Sequence, residues 1–465
     1  MLINDLSEIS VKKALEKYLD TSKKKRADER MKFVSYYEGM IGEMESDLKS
    51  YFTDGALSQV PLVAQNITSK IINSRCIVYK NPPKRDNVKY QESTISLDTA
   101  MLNLERLTYL LGSMGLRSKF NEEEGKVEYD LLTEFYPLFR SFEQEPVAIL
   151  YPLYSYESSQ LGSEDLFAFW SEEEHYLMNA KGETYTIEGN DQRINPYGVI
   201  PVTYAHRRPL TTDWFREGAS DVISMNETVN VMLTEMSLGM RLQALGQPVA
   251  TGIDDDSAFQ LGVDNIITLP EGATFSFQSP SSSLAEYVES IRFFVDSVAY
   301  NNNLKTKWSK GKDTVLSGES LKMLEVDLTE SLKTDTNSIW RKFEKERFIV
   351  DKSILKFHNI NVGEENSVDF SEPRFPMSEQ DKREHWKFMF EMGLANHEDY
   401  YREHNPDASE AEIAKMVSRV SENLSSKKAP KTIPQATPQA TPQAIPQVAP
   451  KEMPEGIPQG AEESK

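Results

Sequence analysis

SDVISMNETVNVMLTEMSLGMRLQAL, residues Ser220–Leu245, places Val222, Met225, Val229, Met232, Met236 and Met240 at steps of three or four. That spacing keeps them on one side of a 3.6-residue period and predicts a long helix with one face to be covered. Ala285–Leu304 repeats the pattern with Val288, Ile291, Val295 and Val298, as expected of a seam between packed helices. Between the two lies Gly246–Leu284, an excursion rich in Gly, Pro and Asp. Helix, insertion and helix form the unit around which the rest of the chain is read.

Within the insertion, Gln247-Pro248 stops the first helix, because proline has no amide hydrogen to continue the ladder. Asp254, Asp255 and Asp256 precede two short apolar runs, Phe259–Leu261 and Asn265–Leu269. Pro270-Glu271-Gly272 reads as a turn before the alternating run Ala273–Phe277, which includes Phe275. After the return helix, Lys305–Gly318 sets Lys305, Lys307, Lys310 and Lys312 around Trp308, a mobile basic loop in an acidic protein.

A chain of 465 residues, 39% hydrophobic and 27% charged, has the composition of a globular protein and the length for about two or three domains. Its net charge of −21 argues against coating nucleic acid with a global basic surface, which works by Lys and Arg neutralising phosphates. The same charge is compatible with surrounding DNA without gripping it, since an acidic wall repels phosphate. Cys76, in the apolar run Ile71–Tyr79, has no second cysteine to pair with, which points to a reducing compartment. Met1–Lys25 is amphipathic and charged, unlike a signal peptide, and no apolar run approaches the roughly 18 residues that span a bilayer. A soluble, cytoplasmic chain is expected.

Amphipathic helices are predicted over Ile9–Leu19 and Asp28–Leu48, the second containing Tyr36-Tyr37-Glu38-Gly39. Leu57–Ala64 leads to a helix with Ile67, Ile71 and Ile72 spaced for burial, closed by Lys80-Asn81-Pro82-Pro83. Ser96–Met114 is a further helix whose inner stripe is Leu97, Met101, Leu104, Leu107, Leu110 and Leu111. From Gly115 the period becomes strand-like: Lys126–Leu132, Pro146–Tyr154, Leu166–Trp170, His175–Met178, a hairpin through Asn179-Ala180-Lys181-Gly182 into Glu183–Ile187, and Tyr197–Tyr204. Together these predict a mixed α+β, helix-rich fold, with a sheet packed on the N-terminal helices.

Glu319–His358 carries Leu321, Leu324, Leu328, Leu332, Ile339, Phe343, Phe348 and Leu355, a helical pattern long enough to imply a kink or an extended position between subunits. Ser367–Phe370 reads as a short strand and Ser378–Met392 as a helix, followed by a small helical unit, His397–Arg402 and Glu410–Leu424, punctuated by Asn405-Pro406. The tail Ser425–Lys465, with the tandem repeat Thr437-Pro438-Gln439-Ala440 and Thr441-Pro442-Gln443-Ala444, lacks the apolar surface to offset its ordering entropy and is read as disordered.

No motif specifies a reaction. Lys310-Gly311-Lys312-Asp313-Thr314 is no Walker A loop, since Thr306 stands where that motif needs glycine and Lys312 is not followed directly by Ser or Thr. The Asp254–Asp256 run lacks the alternating ligands of an EF-hand, and six histidines and one cysteine show no zinc spacing. Ser317-Gly318-Glu319-Ser320 is not a nucleophile elbow, and His206 beside Arg207-Arg208 reads as an exposed basic cluster. The Met-rich face of Ser220–Leu245 suits a core or an interface that repacks. Neither cofactor nor metal is expected.

The order of these features resembles the portal proteins of tailed double-stranded DNA bacteriophages. It rests on Tyr36-Tyr37-Glu38-Gly39, Lys80-Asn81-Pro82-Pro83, the passage Gly112–Phe120 to Leu131–Phe139, and Tyr197–Pro201 before the helix containing Asp221. Ser317-Gly318-Glu319-Ser320-Leu321-Lys322 and the late helical module with Asn405-Pro406 complete the series, which is collinear over nearly all of Met1–Leu424. The resemblance implies a non-enzymatic ring of about twelve subunits at one capsid vertex. Residues 1–210 would be its wing, 211–245 the first stem helix, 246–284 the clip, 285–304 the second stem helix and 305–318 the tunnel loop. Residues 319–377 would be the long channel helix and return strand, 378–424 the crown and 425–465 a disordered tail. Met225, Met232, Met236, Met240, Val288, Ile291, Val295 and Val298 would pack the stem. Asp254, Asp255, Asp256, Phe259, Pro270 and Phe275 would contact the terminase motor and later the head-to-tail adaptor. Lys305, Lys307, Trp308, Lys310 and Lys312 would meet double-stranded DNA without reading its sequence. Major capsid and scaffold proteins would be further partners, with no membrane, in the virion and, during assembly, the host cytoplasm. The alternative is another connector or minor head protein of the particle.

Overall fold

A computed structural model describes residues 1–58, 60–140, 145–153, 166–211, 213–245, 247–252, 269, 271–278, 284–306, 326–370, 379–405 and 408–427. The chain divides into two units, Met1–Pro376 and Met377–Lys465.

In the first unit, α1 (Glu8–Leu19) starts at Ser7, whose side chain accepts from the Ser10 N–H and so satisfies one of the free donors of the first turn. The helix expected over Asp28–Leu48 is two, α2 (Thr21–Glu38) and α3 (Ile41–Lys49), separated at Gly39 with φ +74°. Glycine takes that left-handed conformation without a Cβ penalty, so the break is local and inexpensive. α4 (Asp54–Leu57) is a single turn, and α5 (Ile67–Arg75) is capped by Asn66 and buries Ile71 and Ile72. Past the prolines come β1 (Lys84–Arg85) and α6 (Val88–Glu92), too short to leave a periodic signal. α7 (Leu97–Leu111) ends three residues before the expected Met114. Gly112, at φ +83°, turns the chain beneath the Arg216 carbonyl oxygen, which a Cβ would approach to 2.0 Å, and Met114 belongs to a strand.

Two antiparallel sheets stand where one was expected. The first has the order β3-β2-β9, with β2 (Ser113–Asn121) between β3 (Lys126–Leu132) and β9 (Val202–His206), Gly115 facing Leu132 on one side and Tyr204 on the other. The second runs in chain order through β4 (Tyr136–Leu138), β5 (Ala148–Pro152), β6 (Leu166–Ser171), β7 (His175–Asn179) and β8 (Thr184–Tyr185). All of β6 is buried because successive side chains enter different cores. Phe167 and Phe169 pack with Val11 and Leu15 of α1, while Ala168 and Trp170 pack with Phe135 and Val202.

The main core gathers Tyr36, Met44, Ile72, Leu104 and Leu116 with Val222 of α8 (Ser220–Leu245). The first helix of the opening stretch thus has the bounds its sequence implies. It passes into β10 (Gln247–Thr251), which pairs with β11 (Thr274–Gln278) before α9 (Leu284–Asn301). The long pattern over Glu319–His358 is α10 (Val326–Asp335), a π-helical turn Thr336–Trp340 and α11 (Arg341–Phe357) in continuous succession; residues 319–325 lie outside the described residues. The expected break is therefore a widened turn. β12 (Val368–Asp369) closes the unit by pairing with β1.

The second unit holds α12 (Glu379–Glu391), α13 (His397–His404) and α14 (Glu410–Lys427). Trp386 centres it, its ring 5.0 Å from Tyr400 and 5.6 Å from Phe390, and Asn396 opens α13 with a reciprocal capping box to Asp399. Since α14 reaches Lys427, Ser425–Lys427 is helical rather than tail; the rest of the expected tail, 428–465, lies outside the described residues. Among the described residues no helix is long and apolar enough to cross a membrane.

Candidate functional site: a helix pair bearing a β-ribbon

α8 and α9 run antiparallel. Asn302, just beyond α9, donates to Asp221 in the first turn of α8 at 3.0 Å and accepts from the Tyr109 hydroxyl at 2.6 Å. At the other end β10 and β11 pair from Gln247↔Gln278 to Thr251↔Thr274, where the two threonine hydroxyls are 2.6 Å apart. β10 was hidden by Pro248, read as a helix stop. In a two-stranded ribbon each strand has a free edge, so a proline is tolerated there. Glu271-Gly272 turns the chain into β11 with Gly272 at φ +88°.

The expected stem seam is closed at its base and opens toward the ribbon. Met225 and Val295 are buried with Val222 and Val229, while Ile291 and Val298 pack half-buried against them. Met232 and Met236 are half-buried, and Met240 and Val288 are exposed at 42% and 36%. Outside this seam Phe293, Phe294 and Tyr300 of α9 are 68%, 40% and 71% exposed, with Phe277 of the ribbon at 56%. Of these, the Phe293 and Phe294 rings stand 6.1 Å apart.

A polar ladder fixes the base of α8. The Asn226 side chain accepts from the Ile67 and Thr68 N–H groups at 2.7 and 3.0 Å and donates to the Gln65 carbonyl at 2.9 Å. Asn230 accepts from the Gln65 N–H at 2.9 Å, and the Thr234 hydroxyl from the Val63 N–H at 3.0 Å. The three lie at i, i+4 and i+8, hence on one face, and each is no more than 1% exposed. Sequence reasoning missed them because uncharged polar residues on a helix normally read as solvated; their regular spacing was the available signal.

Of the remaining expected site residues, Phe275 lies half-buried in β11 with its ring 5.2 Å from Phe277. Lys305 is exposed beyond α9, its Nζ 4.0 Å from the Asp327 carboxylate of α10. Asp254, Asp255, Asp256, Phe259, Pro270, Lys307, Trp308, Lys310 and Lys312 lie outside the described residues.

The basic cluster expected at His206 is largely internal. His206 Nδ1 is 2.9 Å from Ser113 Oγ, and burial followed by the charge of Arg216 pushes the imidazole pKa down to about 4. Arg207 donates to the Gly218 carbonyl at 2.6 Å and lies 4.1 Å above the Tyr109 ring; Arg208 alone is exposed. His206 also lines an open groove of about 470 Å³ with Tyr204, Trp214, Lys342 and Phe343, but with Ser113 engaging it, this is no free base.

A buried ionic network in α11 also escaped the sequence. Glu344, Arg347 and Asp351 are each at most 1% exposed. Arg347 pairs with Glu344 and, at 3.0 Å, with Asp351; Arg85 of β1 reaches Glu344 at 2.8 Å. The Tyr90 and Tyr129 hydroxyls donate to Asp351 at 2.5 and 2.7 Å. Burial alone would raise the Glu344 pKa, but Arg347 and Arg85 outweigh it and hold the carboxyl at about 2. Enclosed and ion-paired, the network fastens α11 to β1, α6 and β3 and offers nothing to a substrate. Among the described residues no group of three or more His, Cys, Asp or Glu is placed to hold a metal ion.

No family model matches the sequence, and no curated protein matches it. Solved structures to which the chain is similar include the neck of an empty gene transfer agent particle, at 10% identity and TM-score 0.39, covering 71% of this chain and 87% of that one. Another is an HK97-family phage portal protein from Corynebacterium diphtheriae, at 8% identity and TM-score 0.32, covering 67% of this chain and 96% of that one. Likenesses this distant leave the functional reading to the chain's own residues.

Proposed function

We propose that this chain is the subunit of a bacteriophage portal, a non-enzymatic ring at one capsid vertex through which double-stranded DNA is packaged, retained and ejected. The observation that carries the reading is the antiparallel pair α8 and α9, bridged by a β-ribbon, anchored by Asn226, Asn230 and Thr234, and uncovered along Phe293, Phe294 and Tyr300. In this reading neighbouring copies cover the uncovered side of the helix pair, through a heterologous contact whose rotation closes into a ring rather than an open filament. The collinear resemblance of the sequence to portal proteins agrees with this.

In this reading α8 and α9 are the stem, with residues 246–284 as the clip that binds the terminase motor and later the head-to-tail adaptor. Residues 1–210 are the wing, 319–377 the channel helix and return strand, and 378–424 the crown. The lysines of 305–318 touch the DNA backbone as point charges, while the net charge of −21 keeps other phosphate contacts few, so the duplex slides. About twelve copies make the ring. Its partners are major capsid and scaffold proteins, and its place is the virion after assembly in the host cytoplasm.

Replacing residues 246–284 by a short Gly/Ser linker tests the assignment. Adaptor and motor binding should disappear while the core of the first unit melts as in the unaltered chain. Normal adaptor docking by a folded variant refutes the clip and shifts the reading toward another connector or minor head protein.

A further inference from the structure

Beneath the π-turn, α5, α7, β9 and the end of α10 meet around a cavity of about 20 Å³ whose lining includes Arg75, Glu105, Thr108 and Asp335. Arg75, 5% exposed, crosses from α5 to α10, its Nη2 2.7 Å from Asp335 Oδ2 and 2.5 Å from Ser331 Oγ. Glu105, 4% exposed, faces the same space from α7 and accepts from the Val78 and Tyr79 N–H groups at 3.0 Å each. Two buried atoms of residues lining the cavity, Arg75 Nε and Thr108 Oγ1, have no protein partner. The guanidinium thus keeps an unpartnered donor in a cavity that a second carboxylate also lines.

The two sides of the π-turn are held differently. α11 is fixed by the Arg85, Glu344, Arg347 and Asp351 network. α10 buries Leu328 and Leu332 and is tied through Arg75. α10 also carries the Lys305–Asp327 contact at 4.0 Å, and the π-turn, a local widening of the helix, is where its hold can differ from that of α11.

We propose that Glu105 and Asp335 compete for Arg75, forming a charge-gated latch on α10. With Glu105 neutral, Arg75 is committed to Asp335 and Ser331 and α10 is held; with Glu105 ionised, the guanidinium is shared and α10 loosens about the π-turn. The latch stands independently of the portal reading.

The surroundings fit such a gate. Facing Glu105 are Arg75, Cys76 and Tyr79 from α5 and the turn after it, Tyr109 from α7, Asp335 from α10, and His206 and Arg207 from β9 and its end. Arg207 is occupied by the Gly218 carbonyl, His206 by Ser113, and the Tyr79 hydroxyl by Glu344 at 3.1 Å. Arg75 is therefore the cation able to change partners. Burial raises the Glu105 carboxyl to about 7, against the lowering pull of the two N–H groups and Arg75, so the gate works near neutral pH.

The test is backbone hydrogen exchange in the full chain between pH 6 and 8, corrected for intrinsic rates, comparing peptides over 326–340 with peptides over 341–357. Protection of 326–340 should fall about tenfold between pH 6 and 8 while 341–357 is unchanged, the ratio of ionised to neutral carboxyl passing from about 1:10 to about 10:1 over that range. Glu105→Gln should keep 326–340 protected at every pH, and Asp335→Asn should leave it weakly protected at every pH. The latch is overturned by a flat wild-type profile, by equal loss in both segments, or by either variant retaining the wild-type pH dependence. The two substitutions sit on different helices, so failure of one to fold leaves the other decisive.

Discussion

The Asn226 side-chain oxygen stands 2.7 Å from the amide nitrogen of Ile67, so a residue of α8 caps the first turn of α5, 159 positions earlier in the chain. Long-range capping makes the helix pair an extension of the main core rather than an appendage to it.

Asn226→Leu removes an acceptor from the half-buried Ile67 and the buried Thr68 N–H groups. It should cost about 2–4 kcal/mol, since each buried donor left unmade is worth about 1–3 kcal/mol. Calorimetry of the purified chain measures this; an unchanged melting temperature contradicts the anchoring role.

Gly112 and Gly125 both have positive φ, +83° and +65°, in different surroundings. A Cβ on Gly112 meets the Arg216 carbonyl at 2.0 Å, whereas one on Gly125 meets nothing within 4 Å. Gly125→Ala should cost only the conformational penalty of about 1–2 kcal/mol, and Gly112→Ala about 3 kcal/mol or more. Equal losses in denaturant titrations would show that the close approach is unimportant.

Glu344 gives the fold an acid limit. Its folded pKa of about 2 lies below the ordinary 4.5, so its stabilisation is present above pH 4.5 and is lost as the pH falls toward 2. The amount is about 3 kcal/mol, from about 1.4 kcal/mol for each tenfold change in acidity. Arg347→Met leaves Asp351 without its cation and should cost about 3–5 kcal/mol. Acid titrations by circular dichroism check both, and an Arg347→Met chain with wild-type acid stability contradicts them.

What the sequence made legible is what one short-range signal can carry. Ser220–Leu245 matches its helix end to end because one apolar period recurs through 26 residues that hold no proline and a single glycine, Gly239. β3 is likewise matched at Lys126–Leu132. What it concealed depended on tertiary context. β10 looked like a helix stop because only an edge accepts Pro248, and Asn226, Asn230 and Thr234 looked solvated because their partners lie more than 150 residues away. Glu344, Arg347 and Asp351, at helical spacing, imitate a charged outer face; only Arg85, Tyr90 and Tyr129 reveal it as an inner one. Of the candidate site, the inner seam was readable, but the exposed Phe293, Phe294 and Tyr300 fell outside the stripe.

The proposed portal role predicts that neutralising Lys305, Lys307, Lys310 and Lys312 together lowers the DNA packaged or retained per head while leaving the assembly intact, because phosphate contacts are electrostatic. Head density in gradients and DNA content per particle measure it. Unchanged packaging removes these lysines from the DNA path.

The most direct test of the central claim is the mass of the purified full chain together with its end-on projection, by mass photometry and negative-stain electron microscopy across several salt concentrations. The portal reading predicts a hollow ring of about a dozen copies with a central bore. A compact particle with the mass of one chain, persisting at every concentration and ionic strength and in the presence of scaffold and capsid protein, contradicts it.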